Sequence, residues 1–115
     1  MTVHTMRLHP APFAMIACGR KTVELRLNDE KRRQISVGDE IIFSRIDREE
    51  ALRCRVLALH TYPSFEELYK AFPLTSFGYA EEDVANASPT DMDAYYTKEE
   101  QIKYGVLGIE IRLIK

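Results

Sequence analysis

The chain has 115 residues, of which 45% are hydrophobic and 30% are charged. This length and composition are typical of one globular domain with one core, so we expect residues 1–115 to form a single domain. The sequence has no run of about eighteen apolar residues and does not begin with a charged stretch followed by an apolar one, which argues against a membrane span and an export signal. We therefore expect a cytoplasmic protein.

The net charge is −2, but the two halves of the chain differ in sign. Residues 1–60 contain 11 Lys and Arg against 8 Asp and Glu, whereas residues 61–115 contain 5 against 10. An acidic chain lacks the broad basic face that long duplex DNA requires, so we expect no binding of that kind. An anionic ligand is expected to contact the first half of the chain.

The spacing of cysteine and histidine predicts neither a disulfide nor a metal site. Cys18 and Cys54 form no CxxC pair and have apolar neighbours, which indicates two small buried side chains. His4, His9 and His60 have no partner at the i, i+3 or i, i+4 spacing that is common in zinc sites. We expect no metal and no cofactor.

The first half of the sequence predicts strands around one short helix. Residues 3–9 alternate as a strand, and a helix with prolines in its first turn should end at Cys18, where Gly19 suits the left-handed position. Residues 21–27 alternate between a core face and an outer face, made respectively of Val23, Leu25 and Leu27, and of Thr22, Glu24 and Arg26.

A Gly38–Asp39 turn leads to two further strands, at residues 40–46 and 51–60. The second of these strands alternates throughout, and its predicted mostly apolar face consists of Leu52, Cys54, Val56 and Ala58. The segment between them, residues 47–50, is predicted to be the tip of a hairpin.

The second half is mainly helical up to a final strand. Ser64 with Glu67, and Thr97 with Glu100, have capping-box spacing, which predicts helices over 65–72 and up to Gly105. Residues 74–89 are irregular, with one short helix expected near 80–86. The strand from residue 106 is the clearest in the sequence, and its predicted core face comprises Leu107, Ile109, Ile111 and Leu113.

These elements amount to four or five strands with short helices and no regular β–α alternation. Such a pattern predicts an α+β protein with a small closed or nearly closed β-barrel, short flanking helices and a mainly helical insertion before the last strand. The insertion is expected to span residues 62–104.

A charged motif lies just after the first helix, in the stretch GRKTVELRLNDEKRR. Together with the flanking PF..I..G, RLND.KR and GD.I.F blocks, its GxKxxExR pattern, made of Gly19, Lys21, Glu24 and Arg26, resembles the ASCH domain. The likeness covers nearly the whole chain and is to a small stand-alone domain of bacterial type. It implies a PUA-like β-barrel with a cleft and a connection to RNA binding or RNA-related enzymes.

One branch of small ASCH-like proteins hydrolyses N4-acetylcytidine with a Lys of this motif and a Thr three residues later. Lys21 matches the Lys, whereas Glu24 occupies the Thr position and Thr22 lies one step off the pattern. The nucleophile of that branch therefore does not carry over to this chain.

Glu24 and Arg26 are two residues apart on one predicted strand, so their Cα atoms should lie about 6.5 to 7 Å apart on one face. The carboxylate and the guanidinium can form an ion pair or hold one ligand together. Strict strand alternation would place Lys21 on the face opposite to Glu24 and Arg26. Because Lys21 follows a glycine turn, it is free of that alternation and can reach the same cleft with its stem on apolar surface.

We predict that Lys21 and Glu24 are the catalytic residues if the protein is an enzyme: Lys21 as a base or oxyanion donor, and Glu24 as the group that orients a water. The residues predicted to bind the ligand are Gly19, Arg20, Thr22, Arg26, Asn28, Tyr96 and Tyr104, with Tyr79 and Tyr95 as further candidates for base stacking. The alternative is that these residues bind no ligand. Arg20 and Lys21 would then only stabilise the C-terminus of the preceding helix, where cations are favoured, and Glu24–Arg26 would be an ordinary exposed ion pair.

Three functional hypotheses remain open. The first is an RNA- or nucleotide-related cleft, with metal-independent hydrolysis of a modified nucleoside or of RNA as its enzymatic form. The second is a non-catalytic RNA-binding module. The third is an accessory protein whose insertion docks a protein partner.

Overall fold

The structure is a computed structural model that describes residues 1–114. Its strands are β1 (Val3–Leu8), β2 (Val23–Leu27), β3 (Glu40–Arg45), β4 (Ala51–Tyr62) and β5 (Val106–Leu113). Its α-helices are α1 (Pro10–Ala17), α2 (Phe65–Ala71) and α3 (Lys98–Tyr104). Four 3-10 segments complete the described chain, at Arg32–Gln34, Leu74–Phe77, Glu81–Asn86 and Pro89–Ala94.

The five strands form one sheet in the order β1-β3-β4-β5-β2, so β1 and β2 are its two edges. The β1–β3 pair is parallel, and the other three pairs are antiparallel. The sheet curls into a half-barrel, and Arg26 on β2 donates from Nη2 to the backbone carbonyl of Arg7 on β1 at 3.0 Å. The predicted α+β fold with a small, nearly closed β-barrel is confirmed. A side chain, and not a pair of hydrogen-bonded strands, links the two edges.

Two apolar clusters are built on the sheet, and β5 contributes to both. The first contains Leu107, Ile109 and Ile111 with residues of β1, α1, β3 and β4. The second contains Val106 with residues of β2 and the insertion. Since successive side chains of a strand point to opposite faces, β5 has apolar neighbours on both sides. The insertion thus packs against β2 and the start of β5.

A bulge between Val56 and Ala58 interrupts the pairing of β4 with β5. An added residue reverses the parity of the side chains that follow it. Cys54 and Val56 pack in the first cluster before the bulge, whereas Leu59, and not Ala58, packs against that cluster after it. The uninterrupted alternation predicted for residues 51–60 is therefore wrong beyond Val56.

The insertion is mainly helical, as predicted, but its 3-10 segments contain slightly more residues than its two α-helices. The Thr97 hydroxyl accepts from the Glu100 amide, and the Glu100 side chain accepts from the Thr97 amide, so this capping box is complete. Ser64 accepts from the Glu67 amide and caps α2 alone.

The two cysteines lie in different environments. Cys54 is fully buried, and burial raises the pKa of its thiol to about 11. Cys18 is exposed, so the prediction of two buried cysteines is wrong for it. Cys18 is the C-terminal capping residue of α1, and its thiol donates to the Met15 carbonyl outside the core. Among residues 1–114, no helix is long and apolar enough to cross a membrane.

Candidate functional site

A cleft of about 590 Å³ lies where the two edge strands approach each other. The end of β1, helix α1 and the start of β2 form one part of its wall, and the insertion forms the rest. The polar and aromatic side chains that line it are Arg7, His9, Lys21, Glu24, Arg26, Tyr69, Phe77, Tyr79, Asp91, Tyr95 and Tyr96. This volume is within the range of about 300 to 1,000 Å³ found for small-molecule sites.

Three charged side chains form a continuous cluster in the cleft wall. Lys21 Nζ lies 2.7 Å from Glu24 Oε1. Arg26 donates to Glu24 Oε2 from both Nε, at 3.0 Å, and Nη2, at 2.8 Å. Glu24 is only 2% exposed, and Lys21 is 9% exposed. The predicted Glu24–Arg26 contact is present, but it is buried and includes a second cation.

The turn after α1 explains how Lys21 joins this cluster. Gly19 adopts the left-handed conformation at a φ of 83°, and the amides of Arg20 and Lys21 both donate to the Met15 carbonyl. Lys21 therefore precedes β2 and is free of the alternation of that strand. A Cβ on Gly78 would come within 3.3 Å of Lys21 Cδ, so the absence of a side chain there makes room for the lysine stem.

The charge state of the cluster follows from its surroundings. Burial alone would raise the pKa of Glu24, but the charges and hydrogen bonds of Lys21 and Arg26 outweigh it and hold this pKa below its usual value. For Arg26, burial opposes the charged form, yet Glu24 raises its pKa above the ordinary range. The carboxylate is thus ionised at neutral pH.

Counting hydrogen-bond donors shows what the cluster can offer a ligand. Glu24 Oε1 also accepts from the Leu25 amide, so both carboxylate oxygens are engaged. Lys21 uses one of its three N–H groups, while Arg26 Nη1 donates to neither Glu24 nor Arg7, and Tyr96 is the further side chain that interacts with this guanidinium. At least one N–H group on each cation therefore remains for a ligand with acceptor atoms.

A second polar group lies elsewhere on the cleft wall, within the insertion. The Tyr79 hydroxyl is 2.9 Å from the Tyr69 hydroxyl and 2.7 Å from Asp91 Oδ2. Burial and the hydrogen bonds with Asp91 and Tyr69 raise the pKa of Tyr79 well above its usual value. Tyr79 therefore stays protonated, and its hydroxyl donates a hydrogen bond to the Asp91 carboxylate.

Four of the predicted site residues, Lys21, Glu24, Arg26 and Tyr96, line the cleft together. The other five do not line it: Gly19, Arg20, Thr22, Asn28 and Tyr104. Arg20 and Thr22 are exposed, whereas the Asn28 backbone joins Gly105 and Arg33 through hydrogen bonds. Tyr104 lies beneath the Lys103 ammonium, 5.0 Å from its ring centre.

Sequence patterns did not identify several residues that line the cleft, among them Arg7, His9, Tyr69, Phe77, Gly78 and Asp91. Most of them come from separate elements that fold against β2, and no spacing in the chain brings them together. Only Asp91 had a local sequence signal: it follows Ser88 by three residues, which is the spacing of a capping box at the start of a helix. Within residues 1–114, no group of three or more His, Cys, Asp or Glu side chains could hold a metal ion.

Two solved structures resemble this chain over nearly its whole length. The crystal structure of hypothetical protein PH0355 has a TM-score of 0.79 at 34% identity, covering 99% of this chain and all of that one. The solution NMR structure of PF0455 from Pyrococcus furiosus has a TM-score of 0.69 at 31% identity, with 99% of both chains covered.

A third structure shares the fold at low sequence identity. The crystal structure of an ASCH protein from Zymomonas mobilis has a TM-score of 0.64 at 16% identity, covering 96% of this chain and 67% of that one. No curated protein matches the sequence. The sequence profile of the ASCH domain matches residues 6–115, almost the complete chain. Together with the fold and the GxKxxExR strand, this match places the protein in the ASCH domain family.

Proposed function

We propose that this protein binds a nucleoside or nucleotide, either free or within an RNA strand, in the cleft beside Lys21, Glu24 and Arg26. The observation that carries the proposal is the buried cluster itself. Its carboxylate is fully engaged, while its two cations keep N–H groups for a ligand. Nucleobases and phosphates present the oxygen and nitrogen acceptors that such donors bind.

A purely structural role explains this cluster less well. Burying charges requires desolvation, and well-packed apolar side chains of similar volume are often as stabilising as a buried ion pair. Here the cluster lies in the wall of a cleft and not between packed elements of the core. Perturbed ionisable groups in a cleft are a common feature of functional sites.

The remaining cleft residues agree with a ligand that has both a ring and acceptor atoms. Three cations, Arg7, Lys21 and Arg26, line the cleft against two carboxylates, Glu24 and Asp91. Tyrosines from the insertion line it as well, and aromatic side chains bind bases by stacking. The ASCH family is PUA-like and is often linked to RNA binding. The net charge of −2 favours a short ligand over a long polyanion.

The test is a titration with nucleoside monophosphates and with a short single-stranded RNA, followed by NMR. Lys21→Met keeps the lysine stem but removes its N–H donors, so affinity should fall about 10- to 150-fold, as expected for hydrogen bonds to a charged group. Lys31→Met is the matched control, because Lys31 is exposed and lies outside the cleft.

The two kinds of ligand distinguish a nucleotide site from an RNA module. Tighter binding of the RNA with a strong salt dependence would indicate contacts beyond one nucleotide. Equal affinity for both would indicate that the cleft recognises a single nucleotide. Saturation by neither ligand would contradict the proposal and leave the accessory-protein hypothesis.

Hydrolysis of an amide-modified nucleoside is a second candidate function. The observation in its favour is that Glu24 and Gly78 hold Lys21 in one position, which suits a donor to a developing oxyanion. Glu24 is less well suited to activating water, because each of its oxygens already accepts a hydrogen bond. Activation of water by Glu24 would require one of these bonds to break.

N4-acetylcytidine is the substrate that tests this second candidate. Cytidine release, followed by chromatography, should be lost in Lys21→Met and kept in Lys31→Met if the cleft is a hydrolytic site. No release by the unaltered protein, in a preparation that still binds nucleotides, would leave binding as the function.

A further inference from the structure

Asp91 lies in the cleft wall at the end of a hydrogen-bond chain whose direction can be assigned. An ionised carboxylate only accepts, so the 2.7 Å contact requires the Tyr79 hydroxyl to donate to Asp91 Oδ2. Tyr79 has one proton, and it is used there. The 2.9 Å contact between the two hydroxyls is therefore donated by Tyr69.

The two oxygens of Asp91 have different surroundings. Oδ2 accepts from Tyr79 and from the Ser88 amide at 3.2 Å, which closes the capping box of the segment Pro89–Ala94. Oδ1 has no hydrogen-bond donor among residues 1–114. Asp91 is exposed and lines the cleft, so Oδ1 remains available as an acceptor for a ligand.

The cleft thus has one anchored acceptor in addition to the donors on Lys21 and Arg26. Glu24 also lines the cleft, but both of its oxygens already accept hydrogen bonds from its own neighbours. Lys21 and Arg26 can bind any base or phosphate. An acceptor distinguishes bases that have an exocyclic amine from those that have a carbonyl in its place.

We propose that Asp91 makes this cleft selective for amino-bearing nucleobases, with the exocyclic amine of a cytosine-type base donating to Oδ1. This inference rests on the proposed nucleotide-binding function and adds the class of base. Uracil has a carbonyl where cytosine has its amine, so its oxygen would face the carboxylate without a proton between them. A bound base would cover Oδ1, and a polar group that is covered without a partner is what gives hydrogen-bonding sites their selectivity.

Asp91→Asn provides a sharp test, because the local contacts determine how the new amide is oriented. Two donors, Tyr79 and Ser88, face the position of Oδ2, so the amide oxygen should take that position. The NH₂ group should then replace Oδ1 and offer a donor to the ligand. The variant keeps the cap and should bind the uracil carbonyl better than the cytosine amine.

The experiment compares the affinities of cytidine and uridine monophosphate by calorimetry. The unaltered protein should prefer the cytidine nucleotide about tenfold or more, a ratio typical of one well-made base contact. Asp91→Asn should abolish or reverse this preference. Asp93→Asn is the matched control, since Asp93 pairs with Gln101 and Lys98 outside the cleft, and its variant should keep the preference.

Equal affinity of the unaltered protein for the two nucleotides would overturn the selectivity while leaving the proposed function intact. An unchanged ratio in Asp91→Asn would likewise assign the selectivity to another residue and overturn the role of Asp91. Binding of neither nucleotide would overturn the proposed function together with this inference. Tyr79→Phe checks the anchoring, since freeing Asp91 should weaken the preference without reversing it.

Discussion

Lys21 Nζ and Glu24 Oε1 lie 2.7 Å apart, although strand alternation alone would place these two side chains on opposite faces. The contact forms because Lys21 belongs to the glycine turn before β2, and Glu24 belongs to the strand itself. With Arg26 on its other side, Glu24 is a buried anion between two cations. The stability of β2 and the chemistry of the cleft therefore depend on the same carboxylate.

Glu24→Gln should destabilise the protein by about 3 kcal/mol or more, because it leaves the buried Lys21 and the largely buried Arg26 without their shared counter-charge. Asp29→Asn is the comparison, since Asp29 pairs with Arg32 at 3.0 Å where both side chains are partly solvated. This second change should reduce stability by about 1 kcal/mol or less. Urea denaturation of both variants measures the difference, and equal losses would show that burial adds nothing to the Glu24 cluster.

Asp39 provides a prediction for acid stability. Its carboxylate accepts from His4 and from the amides of Ser36 and Thr2, and these hydrogen bonds lower its pKa to about 2 from an ordinary value of 3.8. Because the folded pKa is the lower one, the stabilisation is complete above pH 4 and is lost as the pH falls towards 2.

The corresponding measurement is the thermal stability of Asp39→Asn against pH. The variant should melt below the unaltered protein at pH 7, and the two melting temperatures should converge as the pH approaches 2. Asp83→Asn is the control, because the Asp83 carboxylate accepts no hydrogen bond from residues 1–114. A constant difference between Asp39→Asn and the unaltered protein across this range would show that the Asp39 charge is not the cause.

Alanine substitutions at Gly78 and Gly38 distinguish the effect of backbone strain from the effect of displacing Lys21. Both have a left-handed backbone, with φ values of 101° and 93°, so Ala at either position should reduce stability by about 1 kcal/mol or more. An added Cβ meets Lys21 at position 78 and meets nothing within 4 Å at position 38. Only Gly78→Ala should also weaken nucleotide binding, as measured by calorimetry. The same affinity in both variants would mean that Lys21 adapts without loss.

The strands and their core faces could be predicted from the sequence because each depends on a local pattern. Leu107, Ile109 and Ile111 repeat with a period of two, and the structure buries all three. The bulge after Val56 could not be predicted, since an extra residue in a uniformly apolar stretch leaves no mark in the pattern.

The site was predicted only where it coincided with a motif. Lys21, Glu24 and Arg26 lie within six residues of one another and share a strand and its turn. The cleft needs a second wall, however, and Tyr79 and Asp91 reach it through tertiary folding of 3-10 segments that have little periodicity. The same tertiary folding places Tyr104 outside the cleft, although it is one of the predicted ligand contacts.

Tyr95 is the tyrosine best placed to stack on a bound base. It is 58% exposed while lining the cleft, and its ring centre lies 6.0 Å from that of His9 across a tilt of 51°. Tyr96, in contrast, is stacked against Phe65 at 6.1 Å and is half-buried. A base entering the cleft can therefore cover Tyr95 without displacing a packed ring.

Tyr95→Ala should weaken nucleotide binding about 5- to 150-fold, the loss expected for one base–aromatic stack. Stability should change little, because most of the ring is solvated. Tyr104→Ala supplies the matched tyrosine outside the cleft and should leave the affinity unchanged. Calorimetry suits the measurement, because it does not depend on the tyrosine that each variant removes. If Tyr95→Ala bound as tightly as the unaltered protein, stacking on Tyr95 would be excluded, and hydrogen bonds to Lys21 and Arg26 would have to account for the affinity.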